Sequence, residues 1–355
     1  MKDQLLENFS PSKFEDWIKV AESETKKKVS DREDLEIDSN LTIRSYYDAA
    51  GRKETPNVLL KTGKDDFFGP RSWANIPPIE VLDEKDSNKK ALHALNTGSD
   101  GVLFVIKKEN CDVQNLLKGI DLGICQVHFK FEKSDVSFCQ KFSEYALKHH
   151  SANKIYGGFI DSDHFIIPSE FQHYKSLGFS AKGIPTIQQL ADLLYTTVLR
   201  IEAHEDITPN TVLENIYLSF TTQSNFFLEI AKLRALRILW SHLIEAYGVS
   251  DINLFIHSSS GVDRIEDYEP HSNILHGAFS AMASILGGCD GLSIFPEKME
   301  DAMVSRIAQN IPIILREESN LHRVADPVAG SYFLEQLTNS IVEKSWNEFV
   351  KLTSS

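Results

Sequence analysis

Apolar and polar positions follow two alternating periods along most of the chain. From Arg71 onward, short apolar runs of strand length are followed by longer stretches in which apolar residues recur every three to four positions, as in amphipathic helices. The strand candidates are residues 73–79, 101–106, 126–131, 156–160, 177–181, 216–220, 252–257 and 291–295. The helix candidates between them are residues 112–119, 135–149, 186–204, 224–247, 271–286 and 298–310.

Eight strands that alternate with helices predict an α/β fold, a (β/α)8 TIM-type barrel over residues 71–355, rather than an open sheet. Two places weaken the pattern. Pro77 and Pro78 interrupt the first strand, because proline lacks the N–H that a strand ladder needs. Only a loop around Pro168 separates the fourth and fifth strands.

Residues 1–70 differ from the rest of the chain and are interpreted as an N-terminal arm. Phe14, Trp17 and Ile18 have helical spacing, and residues 41–46 can form one short strand. The segment has too few apolar residues to bury a core of its own. We therefore expect it to lie on the main domain or on a partner.

Bulk composition narrows the class of protein. The chain has 355 residues, of which 42% are hydrophobic and 25% are charged, and its net charge is −14. That charge argues against a nucleic-acid or anionic-membrane partner, and no apolar run reaches the ~20 residues of a membrane helix. The N-terminal segment has no signal-peptide core and is too acidic for a transit peptide. Four cysteines without a C-x-x-C pair indicate free thiols in a reducing cytoplasm.

Candidate chemistry is expected where barrel strands end, because catalytic groups of such barrels stand at the carboxyl ends of strands. The polar residues there are Lys107, Lys108, Asp161 to His164, Lys182, Thr221 to Gln223, His257 to Ser260 and Glu297. The Asp161-x-Asp163-His164 loop offers metal ligands, yet a turn uses the same residue types and no distant ligand pair supports a metal. His257 and the following serines lack a nucleophile-elbow turn, and a polar strand end explains them better.

The segment from residue 306 to residue 338 contains the most specific sequence motifs of the chain. Its start has helical spacing, Pro312 makes the middle of that helix doubtful, and the Asp326-Pro327 step breaks the pattern before Ser331 can cap a further helix. The segment resembles the end of the substrate barrel in the methylmalonyl-CoA mutase family: RIARNT, EES, R-V-x-DP-x-x-GSYY-x-E-x-LT. Residues 225–235, NFFLEIAKLRA, resemble the family's NFFMEIAKLRA. The resemblance is strong from about Ser219 onward.

The resemblance implies both a fold and a chemistry. Members of the family have an eight-stranded barrel and use adenosylcobalamin to interconvert methylmalonyl-CoA and succinyl-CoA or related acyl-CoA pairs. Their cobalamin domain carries a D-x-H-x-x-G motif, which does not occur in this sequence. We therefore expect a partner to hold the cofactor. Glu318 matches the glutamate of the family's EES segment, which implies a place on the cofactor face; in this chain we expect it to be vestigial.

Four positions depart from the active members of the family. The Tyr-His pair of S-G-Y-H-x-Q-E aligns with residues 179–188, which contain neither residue. The tyrosine of Y-A-x-R-P-W has no equivalent before Arg71, Phe255 replaces the arginine of R-T-H-x-Q-T-S, and residues 292–295 replace L-H-T-N. A missing oxyanion donor alone typically costs ~10²–10³ in rate. The departures indicate loss of the reaction.

The resemblance therefore implies the smaller, non-catalytic chain of the family's heterodimers, which contacts the large catalytic subunit through its barrel and its arm. No catalytic residue and no metal ligand is predicted. Lys182, Gln223 and His257 are the substrate-binding candidates, with weak acyl-CoA contact at most. Two alternatives stay open: a substrate-binding barrel that works with a separate cobalamin-binding chain, and an acyl-CoA-binding regulatory module.

Overall fold

A single parallel sheet surrounded by helices forms the body of the molecule. The computed structural model describes residues 13–28, 35–38, 41–44, 46–48, 70–162, 165–181, 185–250, 252–260 and 272–354. The strands are β1 Leu35–Asp38, β2 Leu41–Ile43, β3 Ala74–Asn75, β4 Pro78–Val81, β5 Gly101–Ile106, β6 Gln126–Phe131, β7 Gly157–Ile160, β8 Tyr174–Ala181, β9 Ile216–Thr222, β10 Phe255–Ser260 and β11 Gly291–Ser293. The helices are α1 Phe14–Thr25, α2 Glu84–Asn96, α3 Val113–Leu117, α4 Val136–His149, α5 Thr186–Glu202, α6 Pro209–Glu214, α7 Phe226–Ala246, α8 Ser272–Gly287, α9 Ala302–Glu317 and α10 Tyr332–Thr353.

The sheet closes on itself at the first barrel strand. Its hydrogen-bonded order is β3-β11-β10-β9-β8-β7-β6-β5-β4, and its two outer members, β3 and β4, are separated in the chain only by Ile76 and Pro77. Ile76 N donates to Leu292 O at 2.9 Å on one side, and Leu103 N donates to Pro77 O at 3.1 Å on the other. β3 and β4 are thus two halves of one strand, and the predicted eight-stranded α/β barrel is confirmed.

The prolines explain why this strand is split. Neither Pro77 nor Pro78 has an N–H, so each can contribute only a carbonyl to the ladder at this point. Pro312 has a milder effect than expected, since α9 continues through it to Glu317. The middle of that helix, which the sequence left doubtful, is therefore intact. Pro312 is buried there, and it removes one intrahelical hydrogen bond without ending the helix.

Aspartate, asparagine, serine and threonine side chains fix where most helices begin. Each accepts a hydrogen bond from a backbone N–H of the first turn and satisfies a donor that has no partner inside the helix. The capping residues are Asp83, Asp112, Asp135, Thr208, Asn225, Asp301 and Ser331. The last of them confirms the predicted cap after the Asp326-Pro327 break. Among the described residues, no helix is long and apolar enough to cross a membrane.

Apolar side chains pack in three groups around the sheet. Two large clusters lie between the strands and the outer helices, one centred on β8 to β11 and one on β4 to β7. The third lies inside the barrel. Its fully buried members are Ala74, Ile76, Leu103, Ile160 and Tyr217.

The described part of the arm packs on the barrel of its own chain. β1 and β2 form an antiparallel hairpin, and Leu41 is buried in the larger outer cluster. The Asp38 carboxylate accepts a hydrogen bond from Thr186 N at 2.6 Å, at the start of α5. The ring of Tyr47 lies 5.5 Å from that of Phe333 on α10. Contact between the arm and a partner stays a prediction.

Candidate functional site

His257 lies inside the barrel, near its middle. It is the third residue of β10, and its ring is 1% exposed. Nδ1 is 2.9 Å from Ser219 Oγ on β9, and Nε2 is 2.8 Å from Ser293 Oγ on β11. The predicted strand 252–257 therefore ended too early: His257 bridges three neighbouring strands instead of standing at a strand end.

The hydrogen-bond partners fix the protonation of His257. The Ser293 hydroxyl donates to the carbonyl oxygen of Ile76, which can only accept. Ser293 Oγ must therefore accept a proton from His257 Nε2, and Nδ1 accepts from the Ser219 hydroxyl. Burial lowers the pKa of His257 well below 6.5, and the positive charge of Lys130 adds to this shift. The ring is neutral, with its proton on Nε2.

His128 forms a second neutral histidine site closer to the amino ends of the strands. Its Nδ1 is 2.8 Å from the Tyr217 hydroxyl, and its Nε2 is 3.2 Å from Gln126 Oε1. Since Gln126 Oε1 can only accept, Nε2 carries the proton and Tyr217 donates to Nδ1. Burial lowers the pKa of His128 to about 3.

Large side chains fill the barrel interior around these histidines. Tyr217 and His128 are 0% exposed. The ring of Phe255 lies 5.1 Å from that of Tyr217 and 5.6 Å from that of His128. A Cβ on Gly158 would meet Tyr217 Cδ1 at 2.8 Å, so the tyrosine ring rests directly on this backbone. The amino-terminal half of the interior is therefore a packed core.

The carboxyl ends of the strands form a polar mouth. Lys107 pairs with Glu80 at 2.5 Å, and Lys108 pairs with Glu84 at 2.7 Å. The Lys108 ammonium, together with a hydrogen bond from Asp112 N, lowers the pKa of Glu84 to about 2. Both lysines that sequence reasoning singled out at this strand end are thus held by neighbouring carboxylates.

Lys130 and Asp161 complete the described part of the mouth. Lys130 is half-buried near the carboxyl end of β6 and has no carboxylate partner among the described residues. Asp161 has a positive φ of 59°, and its carboxylate accepts bonds from Ser180 N at 2.8 Å and from Ser180 Oγ at 2.9 Å. The Asp161 carboxylate therefore ties the carboxyl end of β7 to the carboxyl end of β8.

Three of the four candidate residues from the sequence lie in the described part of the chain, namely Gln223, His257 and Glu318, and these three do not come together. Gln223 is exposed and directly follows β9, as predicted for a strand end. Lys182 lies outside the described residues, and so do Asp163 and His164. Glu318 is exposed at the end of α9. Its neighbour Arg316 contacts Trp73 O and Asp100, at the amino ends of the strands. Glu318 and the mouth therefore lie at opposite ends of the barrel.

Metal and thiol chemistry find little support in the described part of the chain. No group of three or more histidine, cysteine, aspartate or glutamate side chains there has a metal-binding arrangement. Cys111, Cys139 and Cys289 are buried free thiols. Burial raises the pKa of each to about 12, which keeps the thiol protonated and unreactive.

The two sequence segments with the most specific motifs, residues 225–235 and 306–338, contact each other. Arg234, in the block 225–235, pairs through Nη2 with Glu335 at 2.9 Å and through Nη1 with Asp326. Glu335 also accepts a hydrogen bond from Gly330 N at 3.0 Å. A single buried arginine on α7 thus holds the Asp326-Pro327 loop and the start of α10. These shared residues build the scaffold and lie outside the barrel interior.

Comparisons with known proteins agree with this architecture. The family profile described as Methylmalonyl-CoA mutase matches residues 182–355. The methylmalonyl-CoA mutase small subunit of Porphyromonas gingivalis is 26% identical, over 99% of this chain and 64% of that protein. The small subunit of Propionibacterium freudenreichii subsp. shermanii is 31% identical over 47% of this chain and 28% of its own. The methylmalonyl-CoA mutase of Rhizobium meliloti is 37% identical over 36% of this chain and 19% of its own.

The fold is an α/β barrel, and side chains fill the amino-terminal half of its interior in the described part of the chain. Residues 182–355 are similar to the methylmalonyl-CoA mutase family, and nearly the whole chain is similar to a small subunit of such a mutase. The chain spans less than two-thirds of the length of each relative given above. Among solved structures, Yersinia pestis dihydropteroate synthase aligns over 69% of this chain and 92% of its own chain. The two are 12% identical, and the TM-score is 0.37.

The described barrel residues do not fit adenosylcobalamin, the cofactor on which the family generally depends. A cobalt ligand needs a free imidazole nitrogen, but both ring nitrogens of His128 and of His257 are engaged in hydrogen bonds. Tyr217, Phe255 and Ile76 fill the amino-terminal half of the barrel interior. No step is assigned to the cofactor in this chain.

Proposed function

We propose that this chain is the structural small subunit of an adenosylcobalamin-dependent methylmalonyl-CoA mutase. It forms a heterodimer with a large catalytic subunit in the cytoplasm. The large subunit holds the cofactor and interconverts methylmalonyl-CoA and succinyl-CoA. This chain contributes a barrel that stabilises the partner.

One observation carries the proposal: the amino-terminal half of the barrel interior is packed, and His128 and His257 inside the barrel are neutral and fully hydrogen-bonded. A general acid or base must reach its substrate and must have a pKa near the working pH. The pKa of His128 is lowered to about 3, and the ring of His257 is 1% exposed. Neither group meets either requirement.

The preserved scaffold supports a role for the chain as a whole. Arg234 holds Asp326 and Glu335 in a buried network, and such networks are strongly destabilised when one partner is lost. A chain that keeps this network while it fills its active-site space is suited to a function that depends on shape and surface. Binding to a catalytic relative is a function of that kind.

A second candidate function is a substrate-binding barrel that works with a separate cobalamin-binding chain. Lys130, half-buried near the end of β6, and Gln223, exposed directly after β9, favour this second candidate, although β7 and β8 lie between their strands. A cation and an amide at a barrel mouth can hold a carboxylate or a thioester oxygen. The packed interior below them opposes it, because the reacting carbons would find no space.

Copurification with the large mutase subunit of the same organism tests the proposal. We expect a stable one-to-one complex whose mutase activity exceeds that of the large subunit alone. The variants Glu318→Gln, Gln223→Ala and Lys130→Met of this chain should leave that activity unchanged. Activity from this chain mixed with an isolated cobalamin-binding domain would overturn the proposal and favour the split enzyme.

A further inference from the structure

Helix α8 has no charged side chain of the Asp, Glu, Lys or Arg type over its 16 residues. The other long helices on the outside of the barrel, such as α2, α4 and α5, carry several. A helix that is apolar all round is normally buried on all sides. In this chain only one side of α8 faces the barrel, through Gly277, Ala281, Ser284 and Ile285.

The outer side of α8 exposes large apolar residues. Leu275 is 63% exposed, and Phe279, one turn later on the same side, is 59% exposed. His276 lies beside them at the surface. No residue on this side of the helix has a side chain of the Asp, Glu, Lys or Arg type.

A row of aromatic rings continues this surface over three further elements; we call it the aromatic strip. From Phe279 it runs to Phe226 at 6.4 Å, to Phe227 at 5.4 Å, to Phe333 at 5.5 Å and to Tyr47 at 5.5 Å between ring centroids. Phe227 is 50% exposed. The strip thus joins α8, α7, α10 and the N-terminal arm in one contiguous apolar surface.

The size of this surface fits the centre of a protein interface. With ~200 Å² for each large apolar side chain, Leu275, Phe279 and Phe227 alone leave roughly 350 Å² in water. Contiguous apolar patches of a few hundred Å² mark interaction sites. A standard interface buries ~800 Å² on each partner, with an apolar, charge-depleted centre and a polar rim.

We propose that the outer face of α8 and the aromatic strip are the docking surface for the barrel of the large mutase subunit. The inference rests on the proposed function, which supplies the partner. That partner covers the surface with an uncharged apolar face, and basic side chains surround this face. The arm takes part through Tyr47.

Charge decides between this occupant and a second copy of the chain. Each copy carries a net charge of −14, so two copies repel each other at long range although α8 itself is uncharged. A partner with a basic rim is attracted by the same field. Its association should therefore be fastest at low ionic strength and slower as salt screens the attraction.

The test measures binding of the full-length chain to the purified large subunit. The probe variant is Leu275→Asp/Phe279→Asp, which places two charges in the face at exposed positions. The matched control is Ile124→Asp, since Ile124 is 82% exposed before β6, on the opposite side of the barrel. Thermal unfolding of all three chains confirms that the substitutions leave the fold intact.

We expect the double variant to bind the large subunit about 100-fold more weakly, whereas the control binds like the wild type. Equal binding of the double variant would overturn the docking surface and leave the proposed function standing. A wild-type dimer in sedimentation that the double variant abolishes would assign the face to a second copy and also overturn it. Failure of the wild type to bind the large subunit would overturn both proposals.

Discussion

His128 and His257 are buried as neutral rings, and this makes the stability of the chain depend on pH. In the unfolded chain a histidine binds a proton near pH 6.5. In the folded chain the pKa of His128 is about 3, and that of His257 is well below 6.5. The unfolded state therefore binds more protons as the pH falls below 6.5, and stability is lost continuously down to the folded-state pKa.

When the pH falls from 7 to 5, the titration of each ring in the unfolded chain should lower the free energy of unfolding by about 2 kcal/mol. The free energy changes by about 1.4 kcal/mol per pH unit for each ring below pH 6.5. Urea unfolding at a series of pH values measures this. The variant His128→Gln cannot titrate, so its slope should be about half that of the wild type. An unchanged slope would show that His128 is already protonated in the folded chain.

Ser293, on β11, links His257 to Ile76, which lies between β3 and β4. In Ser293→Ala the Nε2 proton of His257 and the carbonyl of Ile76 both lose their partner. We expect a loss of about 2–4 kcal/mol in the free energy of unfolding, because each unsatisfied buried group costs ~1–3 kcal/mol. Ser319→Ala, at an exposed position, is the control and should change stability little. A neutral Ser293→Ala variant would contradict the assigned hydrogen bonds.

Sequence reasoning identified His257 but not its environment. The strand residues Gln126, His128 and Lys130 alternate with Val127 and Phe129, and this period of two already indicates a polar inner face. The partner of each ring could not be predicted, because Ser219, Ser293 and Tyr217 lie on other strands whose register depends on closure of the barrel. For the same reason Glu318 could not be placed at the amino ends of the strands.

Two elements distant in the chain depend on Arg234 for their position. Arg234→Lys keeps the charge but loses the fork that reaches Asp326 and Glu335 together. We expect the free energy of unfolding to fall by about 3 kcal/mol, near the cost of breaking a buried pair. Arg323→Lys, at an exposed arginine nearby, is the control. Equal stability of the two variants would mean that the buried network contributes nothing.

The start of α5 depends on the arm. Pro185 precedes the helix and makes no side-chain cap, and the Asp38 carboxylate supplies one from the β1–β2 hairpin. Asp38→Ala should therefore lower the free energy of unfolding by about 1 kcal/mol, the usual effect of losing a cap. Thr42→Ala, exposed on the same hairpin, serves as the comparison in thermal unfolding. If both variants melt together, the hairpin does not hold α5.

Elements with a strong apolar period were predicted best. Residues 101–106 and 126–131 match β5 and β6 at both ends. Helix α2 was missed, because its sequence is rich in charged residues and its apolar face is narrow, with Ala91 and Ala94 as its buried apolar side chains. Strand β8 begins at Tyr174, three residues before its predicted start, and its pairing with β7 shifts register between Gly158 and Ile160.

At the scale of the whole molecule, the closed barrel followed from the alternation of strands and helices. The weak point of that prediction, Pro77-Pro78, proved to be the point at which the sheet closes. The filling of the interior could not be read from the same pattern, because large and polar residues alternate on inner faces in open and packed barrels alike. Whether side chains fill the interior could be decided only from the registers of all eight strands.

Closure between β3 and β11 also sets the order in which the barrel can be completed during synthesis. Ser293 and Ile76 are 217 positions apart, so most of the chain must leave the ribosome before the first strand finds its second neighbour. Contacts of such long sequence separation form late and slowly. Until then the edge of β3 that will pair with β11 remains open. Unpaired strand edges favour aggregation. The exposure of this chain to misassembly therefore lasts until β11 has been synthesised and can pair with β3.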